Sequence, residues 1–160
     1  MMSVVFFIRW SSFLLARADP FKHKISVAKA RALFESGEYV TALAFYDDKL
    51  CAKIEFNKVY FGTNFFDGKT REYMTYEFRP RDGKLFLENV MFFEFDGDTT
   101  KVARREDIRF DPNGATSTLV TDFITGEQQE SAPRQVDVSG NWEPYPEFGK
   151  YESLLRLERS

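Results

Sequence analysis

Residues 72–97 read EYMTYEFRPRDGKLFLENVMFFEFDG, in which two runs of alternating residues are separated by Asp82-Gly83 and closed by Asp96-Gly97. In the first run Met74, Tyr76 and Phe78 alternate with more polar residues. This period of two is typical of a strand that buries one face. An Asp-Gly pair flanked by alternating apolar residues is a strong short-range signal for a hairpin. The stretch therefore predicts two antiparallel strands joined by a tight turn.

Similar turn residues recur on both sides of this hairpin, at Asp47-Asp48, Asp67-Gly68, Pro112-Asn113-Gly114 and Thr125-Gly126. Strands separated by short turns predict a meander. A helix is expected near residues 26–36, because Ser26 can cap it and Gly37 can end it. We predict an α+β fold that is mostly β: a curved antiparallel meander sheet or a partly closed barrel of about six to eight strands, with one N-terminal helix.

The 160 residues are expected to form a single β-rich domain, residues 1–160, since a chain of this length buries roughly 70% of its unfolded surface. The apolar run Val4–Ile8 favours a further strand, with the start of an apolar helix as the alternative that periodicity cannot exclude at this length. The polar residues 126–140 predict a long loop. Two prolines in Trp142–Phe148 predict an extended backbone there. Tyr151–Leu157 is expected to form a short closing helix.

Charge is distributed unevenly along the chain, whose formal net charge is −3. Residues 1–31 carry six Lys and Arg against Asp19 alone, or +5, which leaves −8 for residues 32–160. An acidic β region argues against binding to nucleic acid phosphates and favours a basic protein partner. Solubility alone is the alternative explanation of this balance.

Cysteine and histidine each occur once, as Cys51 and His23. This excludes an intramolecular disulfide and the common Cys/His zinc sites, and we expect neither a metal nor a cofactor. A reducing, cytoplasmic location is the simpler expectation. The alternative is export, with Ser3–Ala18 as a leader cleaved after Ala18. A membrane-spanning segment is not expected, because the uninterrupted apolar run is shorter than the roughly 20 residues that a bilayer requires.

Catalytic chemistry has little support in the sequence. Cys51 lies among apolar strand residues, where a free cysteine is usually a buried hydrophobe, and His23 lies in a basic segment. Glu88 and Glu94 are six residues apart on one predicted strand, roughly 20 Å, which is too far for a catalytic carboxylate pair. We therefore do not expect an enzyme, although an enzyme of an unrecognised type stays an alternative.

The acidic and aromatic residues of 85–100 form the strongest candidate for a binding surface. This stretch contains no Lys or Arg and has a local charge of −4. Alternation from Leu85 to Phe95 predicts one apolar face and one mixed face. The predicted partner-binding residues are Glu88, Phe92 and Glu94 on the mixed face, with Asp96 and Asp98 at its end. Aromatic anchors beside unpaired carboxylates suit the capture of a basic protein surface. The alternative is a strand buried on one face beside a polar edge.

Three turn segments carry a family resemblance: Phe66-Asp67-Gly68-Lys69, Arg81-Asp82-Gly83-Lys84-Leu85 and Phe110-Asp111-Pro112-Asn113-Gly114. They resemble the hairpin repeats of MORN-like, YwqK-type antitoxin proteins. A small acidic β meander also resembles the immunity proteins that bacteria pair with polymorphic toxins. The resemblance implies a protein-binding inhibitor that neutralises a toxin domain by steric occlusion.

Two other hypotheses remain open. The first is a carrier whose curved sheet encloses a small apolar ligand, with aromatic side chains turned inward and the Trp142–Phe148 segment as a gate. The second is membrane association through residues 3–18 as an exposed amphipathic helix.

Overall fold

The computed structural model describes residues 1–8 and 20–159. Within them lies one eleven-stranded antiparallel sheet in which strands β1 to β8 are neighbours in chain order. The strands are β1 (Met2–Phe7), β2 (Val40–Tyr46), β3 (Lys49–Asn57), β4 (Tyr60–Phe66), β5 (Glu72–Arg81), β6 (Lys84–Phe95), β7 (Val102–Phe110), β8 (Ala115–Asp122), β9 (Gln128–Glu130), β10 (Arg134–Gln135) and β11 (Trp142–Pro144). The predicted mostly β α+β meander is confirmed, with one α-helix among the described residues. The eleven strands exceed the predicted six to eight, because β9, β10 and β11 are only two or three residues long.

The sheet is open and does not close into a barrel. Among the described residues, β1 forms one edge, while β9 and β10 both pair with β8 at the other. The predicted long loop over residues 126–140 is therefore interrupted by these two short strands. β11 extends the sheet differently, because it pairs with the first residues of β6 before β7 begins to pair there.

The predicted turns adopt the backbone that their residues favour. Asp47 and Asp48 have φ of 47° and 61°, and Asp82 and Gly83 have φ of 50° and 75°. Two successive residues with positive φ match the right-handed twist of the strands they join. The turn between β3 and β4 at Lys58 and Val59 contains no Gly, Asp or Pro, and our sequence analysis did not identify it.

Helix α1 (Val27–Glu35) begins where the sequence predicts. Ser26 is its N-cap, and its side chain accepts a hydrogen bond from Lys29 N at 3.1 Å. Gly37 follows the helix with φ of 85°. Three one-turn 3-10 helices complete the description, at Pro20–His23, Ser139–Asn141 and Glu152–Leu155. Within the predicted closing helix Tyr151–Leu157, only Glu152–Leu155 is helical, as a single 3-10 turn.

The main core lies on one face of the sheet, under α1 and the C-terminal tail, and a smaller buried cluster of Phe7 and Leu43 lies on the opposite face of β1 and β2. Phe148 stacks on Phe6 with ring centroids 5.3 Å apart, and Tyr151 lies 5.0 Å from Phe56. Leu154 is fully buried in the same cluster. Aromatic pairs at these distances add about 0.5–1.5 kcal/mol each beyond the area they bury. The covering layer therefore packs over the β1 to β6 part of this face.

Candidate functional site

Strand β6, which carries several of the predicted binding residues, contains one extra residue. This residue changes the face of the sheet on which the following side chains lie. Phe78 of β5 pairs with Leu87, and the preceding Glu77 pairs with Asn89, so Glu88 forms a β-bulge. A bulge changes which residues of the strand face the core. Beyond it Phe92 lies opposite Met74, a core residue. The prediction that Phe92 and Glu88 share one mixed face is therefore wrong.

Glu88 contacts cations on the face that points away from the core. Its carboxylate accepts a hydrogen bond from Arg81 Nη2 at 2.5 Å and lies 3.8 Å from Arg79 Nε. The side chain is 29% exposed. Two cations from the neighbouring strand compensate this carboxylate, so it does not add an unpaired negative charge to the surface.

Asp96 and Asp98 lie in the turn after β6. The carbonyl of Asp96 accepts hydrogen bonds from the backbone and hydroxyl of Thr99, at 3.2 and 2.7 Å. Asp98 forms an ion pair with Lys69. The expectation of unpaired carboxylates is therefore wrong for Glu88 and Asp98, because cations from β5 and from the β4–β5 turn lie beside them.

The remaining two predicted residues belong to an uncovered part of the core face, beyond the tail. Residues that pair directly across antiparallel strands share a face. Phe92 pairs with Glu106 and Glu94 with Arg104, while Glu106 and Arg104 pair in turn with residues of β8. We call this surface the distal face and define it as Phe92, Glu94, Arg104, Glu106, Ile108, Val120 and Asp122.

Arg104 organises the charges of the distal face. It donates to Glu94 from Nη1 at 2.8 Å and to Glu106 from Nη2 at 3.3 Å, so Glu94 too is paired. Asp122 lies opposite it on β8. Three carboxylates against one guanidinium leave a formal charge of −2. The pKa of Asp122 is lowered, first by the backbone hydrogen bonds from Thr125 and Ile124 and to a smaller extent by Arg104. Asp122 is therefore held in its charged form.

An apolar groove of about 320 Å³ adjoins these charges. Its floor contains Phe92, Ile108 and Phe110, and its wall toward the tail contains Asp137 and Arg159. Phe92 is 40% exposed there. A large aromatic side chain in this position offers apolar contact area beside negative charge.

The tail wall of the groove is fixed by buried polar contacts. Glu143 of β11 accepts hydrogen bonds from Arg156 and Arg159, both at 2.6 Å. Tyr76 donates its hydroxyl hydrogen to the Leu157 carbonyl at 3.2 Å. Burial raises the pKa of Tyr76, so its hydroxyl stays protonated at neutral pH. These contacts hold the C-terminal tail beside the groove.

Sequence analysis missed Arg104, Glu106, Asp122 and Asp137. A signal was present on β7, where Arg104, Glu106 and Ile108 alternate with period two. To predict that these charges lie beside Phe92, one must know which residues of β6 and β7 pair with each other. Alternation alone does not specify this register.

The other candidate chemistry remains weak. Cys51 donates from Sγ to the Ala44 carbonyl at 3.1 Å, and burial raises the pKa of its thiol, which disfavours a thiolate nucleophile. Within residues 1–8 and 20–159, no group of His, Cys, Asp and Glu is arranged to hold a metal ion.

The same residues contain no helix with the length and apolarity to cross a membrane. Residues 9–18 of the hypothetical leader or amphipathic helix lie outside the described residues, and residues 3–7 belong to β1 instead.

No match to this chain was found among protein-family models, curated proteins or solved structures.

Proposed function

We propose that the protein is a cytoplasmic protein-binding inhibitor that captures a basic partner on the distal face, most concretely an immunity protein that neutralises a toxin domain. One observation carries the proposal: the exposed Phe92 lines an apolar groove and pairs across the sheet with Glu106, which shares the guanidinium of Arg104 with Glu94. Aromatic anchors in desolvated pockets contribute most of the binding energy in protein interfaces, and surrounding charges accelerate encounter.

Arg104 supports this function by orienting the carboxylates before the partner arrives. A side chain held by hydrogen bonds loses less rotamer freedom on binding than a free one, and each immobilised side chain costs roughly 0.5–1.5 kcal/mol. Glu94 and Glu106 are both held by the same guanidinium. A partner lysine or arginine would thus meet preoriented acceptors.

The mechanism is stoichiometric occlusion. The groove takes an apolar side chain of the partner, and the carboxylates pair with cations around it. Inhibition then requires only that the covered surface includes the partner's active site. This mechanism does not require a catalytic group or a cofactor on this chain.

The test is affinity capture from a lysate of the source cells at low and high salt, followed by mass spectrometry. We expect one basic protein at stoichiometric yield, lost at high salt. The triple variant Glu94→Gln, Glu106→Gln, Asp122→Asn should abolish capture. The matched control Glu35→Gln, Glu38→Gln, Asp48→Asn removes three exposed carboxylates elsewhere and should retain it.

Phe92→Ala provides a second test, on the purified complex. Truncating an aromatic hot spot costs about 2 kcal/mol or more, which weakens the affinity about 30-fold. Val59→Ala is the control, because Val59 is also exposed, at 62%, and lies in the β3–β4 turn. Equal affinities of the two variants, or capture that survives the triple substitution, would contradict the proposal.

A small apolar ligand is the second candidate occupant. The groove volume of about 320 Å³ lies at the lower end of the range for ligand pockets, roughly 300–1,000 Å³. Native mass spectrometry of the purified protein distinguishes the two. A monomer carrying a small apolar molecule, with no captured protein, would favour the carrier.

A further inference from the structure

The end of the sheet opposite the distal face carries exposed apolar side chains among lysines. The 3-10 turn and the start of α1 lie against the end of β1, since Ile25 N donates to the Phe6 carbonyl at 2.9 Å and the Phe21 ring lies 6.5 Å from that of Phe7. We call this surface the basic edge and define it as Ile8, Phe21, Lys22, Lys24, Val27 and Lys29.

The lysines of the basic edge have no counterion among residues 1–8 and 20–159. Lys22, Lys24 and Lys29 are all exposed. None of them takes part in an ion pair with any residue that the structure describes. Elsewhere the exposed Lys69 and Lys150 each pair with a carboxylate. The positive charge of this edge therefore remains available to an external anion.

Three apolar residues of the basic edge are exposed. Ile8 is 48% exposed, Phe21 39% and Val27 57%. Single exposed apolar residues need no explanation, but here three occur among three lysines. Lysine stems can lie along an apolar surface while their ammonium groups reach an anionic layer. This combination is typical of proteins that bind at the surface of a bilayer.

We infer that the basic edge docks the protein onto an anionic lipid bilayer, with Ile8, Phe21 and Val27 entering the headgroup region and the lysines meeting lipid phosphates and carboxylates. A bilayer accounts for both the apolar and the basic residues, whereas a nucleic acid would use only the lysines. This inference is independent of the proposed inhibitor function, because it uses different residues.

The two charged ends can act separately. Seven steps between neighbouring strands separate β1 from β8, and strands lie about 4.8 Å apart, so the path along the sheet is roughly 34 Å. Charges are screened over about 8 Å at physiological salt. A bilayer at the basic edge would therefore not be repelled by the distal face, which would stay free for a protein partner.

The test is co-sedimentation of the full chain with vesicles. We expect binding to vesicles of phosphatidylcholine with about 30% phosphatidylserine and none to phosphatidylcholine alone. Each lysine near an anionic surface contributes about fivefold in partitioning, so the variant Lys22→Gln, Lys24→Gln, Lys29→Gln should lose about 100-fold. The matched control Lys49→Gln, Lys84→Gln, Lys101→Gln makes the same change in net charge at other exposed lysines and should bind like the natural chain.

Val27→Ser tests the apolar part, and it should weaken vesicle binding without changing the thermal unfolding midpoint, because Val27 lies on the surface of α1. Failure to bind the anionic vesicles, or equal losses in the two lysine variants, would overturn the inference. Salt-sensitive binding to single-stranded DNA that Val27→Ser leaves unchanged, without vesicle binding, would overturn it in favour of a polyanion site.

Discussion

Replacing Glu143 by alanine is expected to destabilise the fold by about 3–5 kcal/mol, because Arg159 then stays buried without a counterion. Glu143 is 5% exposed, and the Arg159 side chain is 7% exposed. The Arg159 guanidinium also lies 4.9 Å from the Tyr76 ring and 5.0 Å from the Phe78 ring. Among the described residues, Glu143 is its sole carboxylate partner.

The magnitude comes from desolvation rather than from the attraction within the pair. Removing one partner of a buried ion pair exposes the full cost of burying the other charge, whereas replacing both by apolar residues of similar size is often neutral. The half-exposed Arg156 adds at most about 1 kcal/mol. We therefore expect the double variant Glu143→Leu, Arg159→Met to recover most of the stability that Glu143→Ala loses.

Urea denaturation monitored by tryptophan fluorescence measures this effect. Trp142 precedes Glu143 on β11, and its ring lies 4.8 Å from that of Phe86, so its emission reports whether β11 is docked. The thermal midpoint should fall by about 6–20 °C, at 2–4 °C per kcal/mol for a chain of this size. Glu147→Ala is the control, since that pair with Lys150 is exposed to solvent and contributes little to stability. If both variants lose the same stability, the reasoning about burial is refuted.

Three further predictions concern the sheet and the buried tyrosines. Gly62→Ala should cost about 1–3 kcal/mol, because its Cβ would lie 2.4 Å from the Tyr60 hydroxyl, and adding Tyr60→Val should recover that loss in the same urea assay. Burial raises the pKa of Tyr60 and Tyr151 in the folded protein, while the unfolded chain titrates near about 10, so the free energy of unfolding should fall as pH rises above about 10. Tyr151→Phe should reduce that fall between pH of about 8 and 11. Deleting Glu88 should preserve cooperative unfolding by circular dichroism, since it removes only the bulged residue, whereas deleting Met91 should abolish it by turning Phe92 to the opposite face.

Local chemistry explains the parts of the fold that the sequence predicts well. Asp47-Asp48 and Asp82-Gly83 tolerate positive φ, and Ser26 supplies an acceptor for a free helical N–H. Each of these features depends on residues a few positions apart. The β3–β4 turn lacks such residues, although Asn57 supports it by accepting a hydrogen bond from Val59 N at 3.0 Å.

The bulge at Glu88 was not predicted because the strand carries apolar residues on both of its faces. Leu85, Phe86 and Leu87 precede it, and Val90 to Phe93 follow, so alternation does not reveal which set faces the core. The adjacent polar pair Glu88-Asn89 was the available sign of irregularity. The cations that neutralise the acidic stretch come from β5, β7 and the β4–β5 turn, and predicting them required knowledge of how the strands pair.

The residues of the distal face explain why the covering layer stops before it. Along the core face of β7, the side chains change from Ile108 to Glu106 and Arg104, and burying such charges without complete compensation is costly. Phe92 has the opposite character, because an aromatic side chain of its size is usually covered. It lies where the buried part of this face meets the charged part, opposite Met74 on one strand and Glu106 on the other. A partner that brings its own cations and apolar contact area would satisfy both requirements at once, which is why this boundary is the strongest candidate for the binding site.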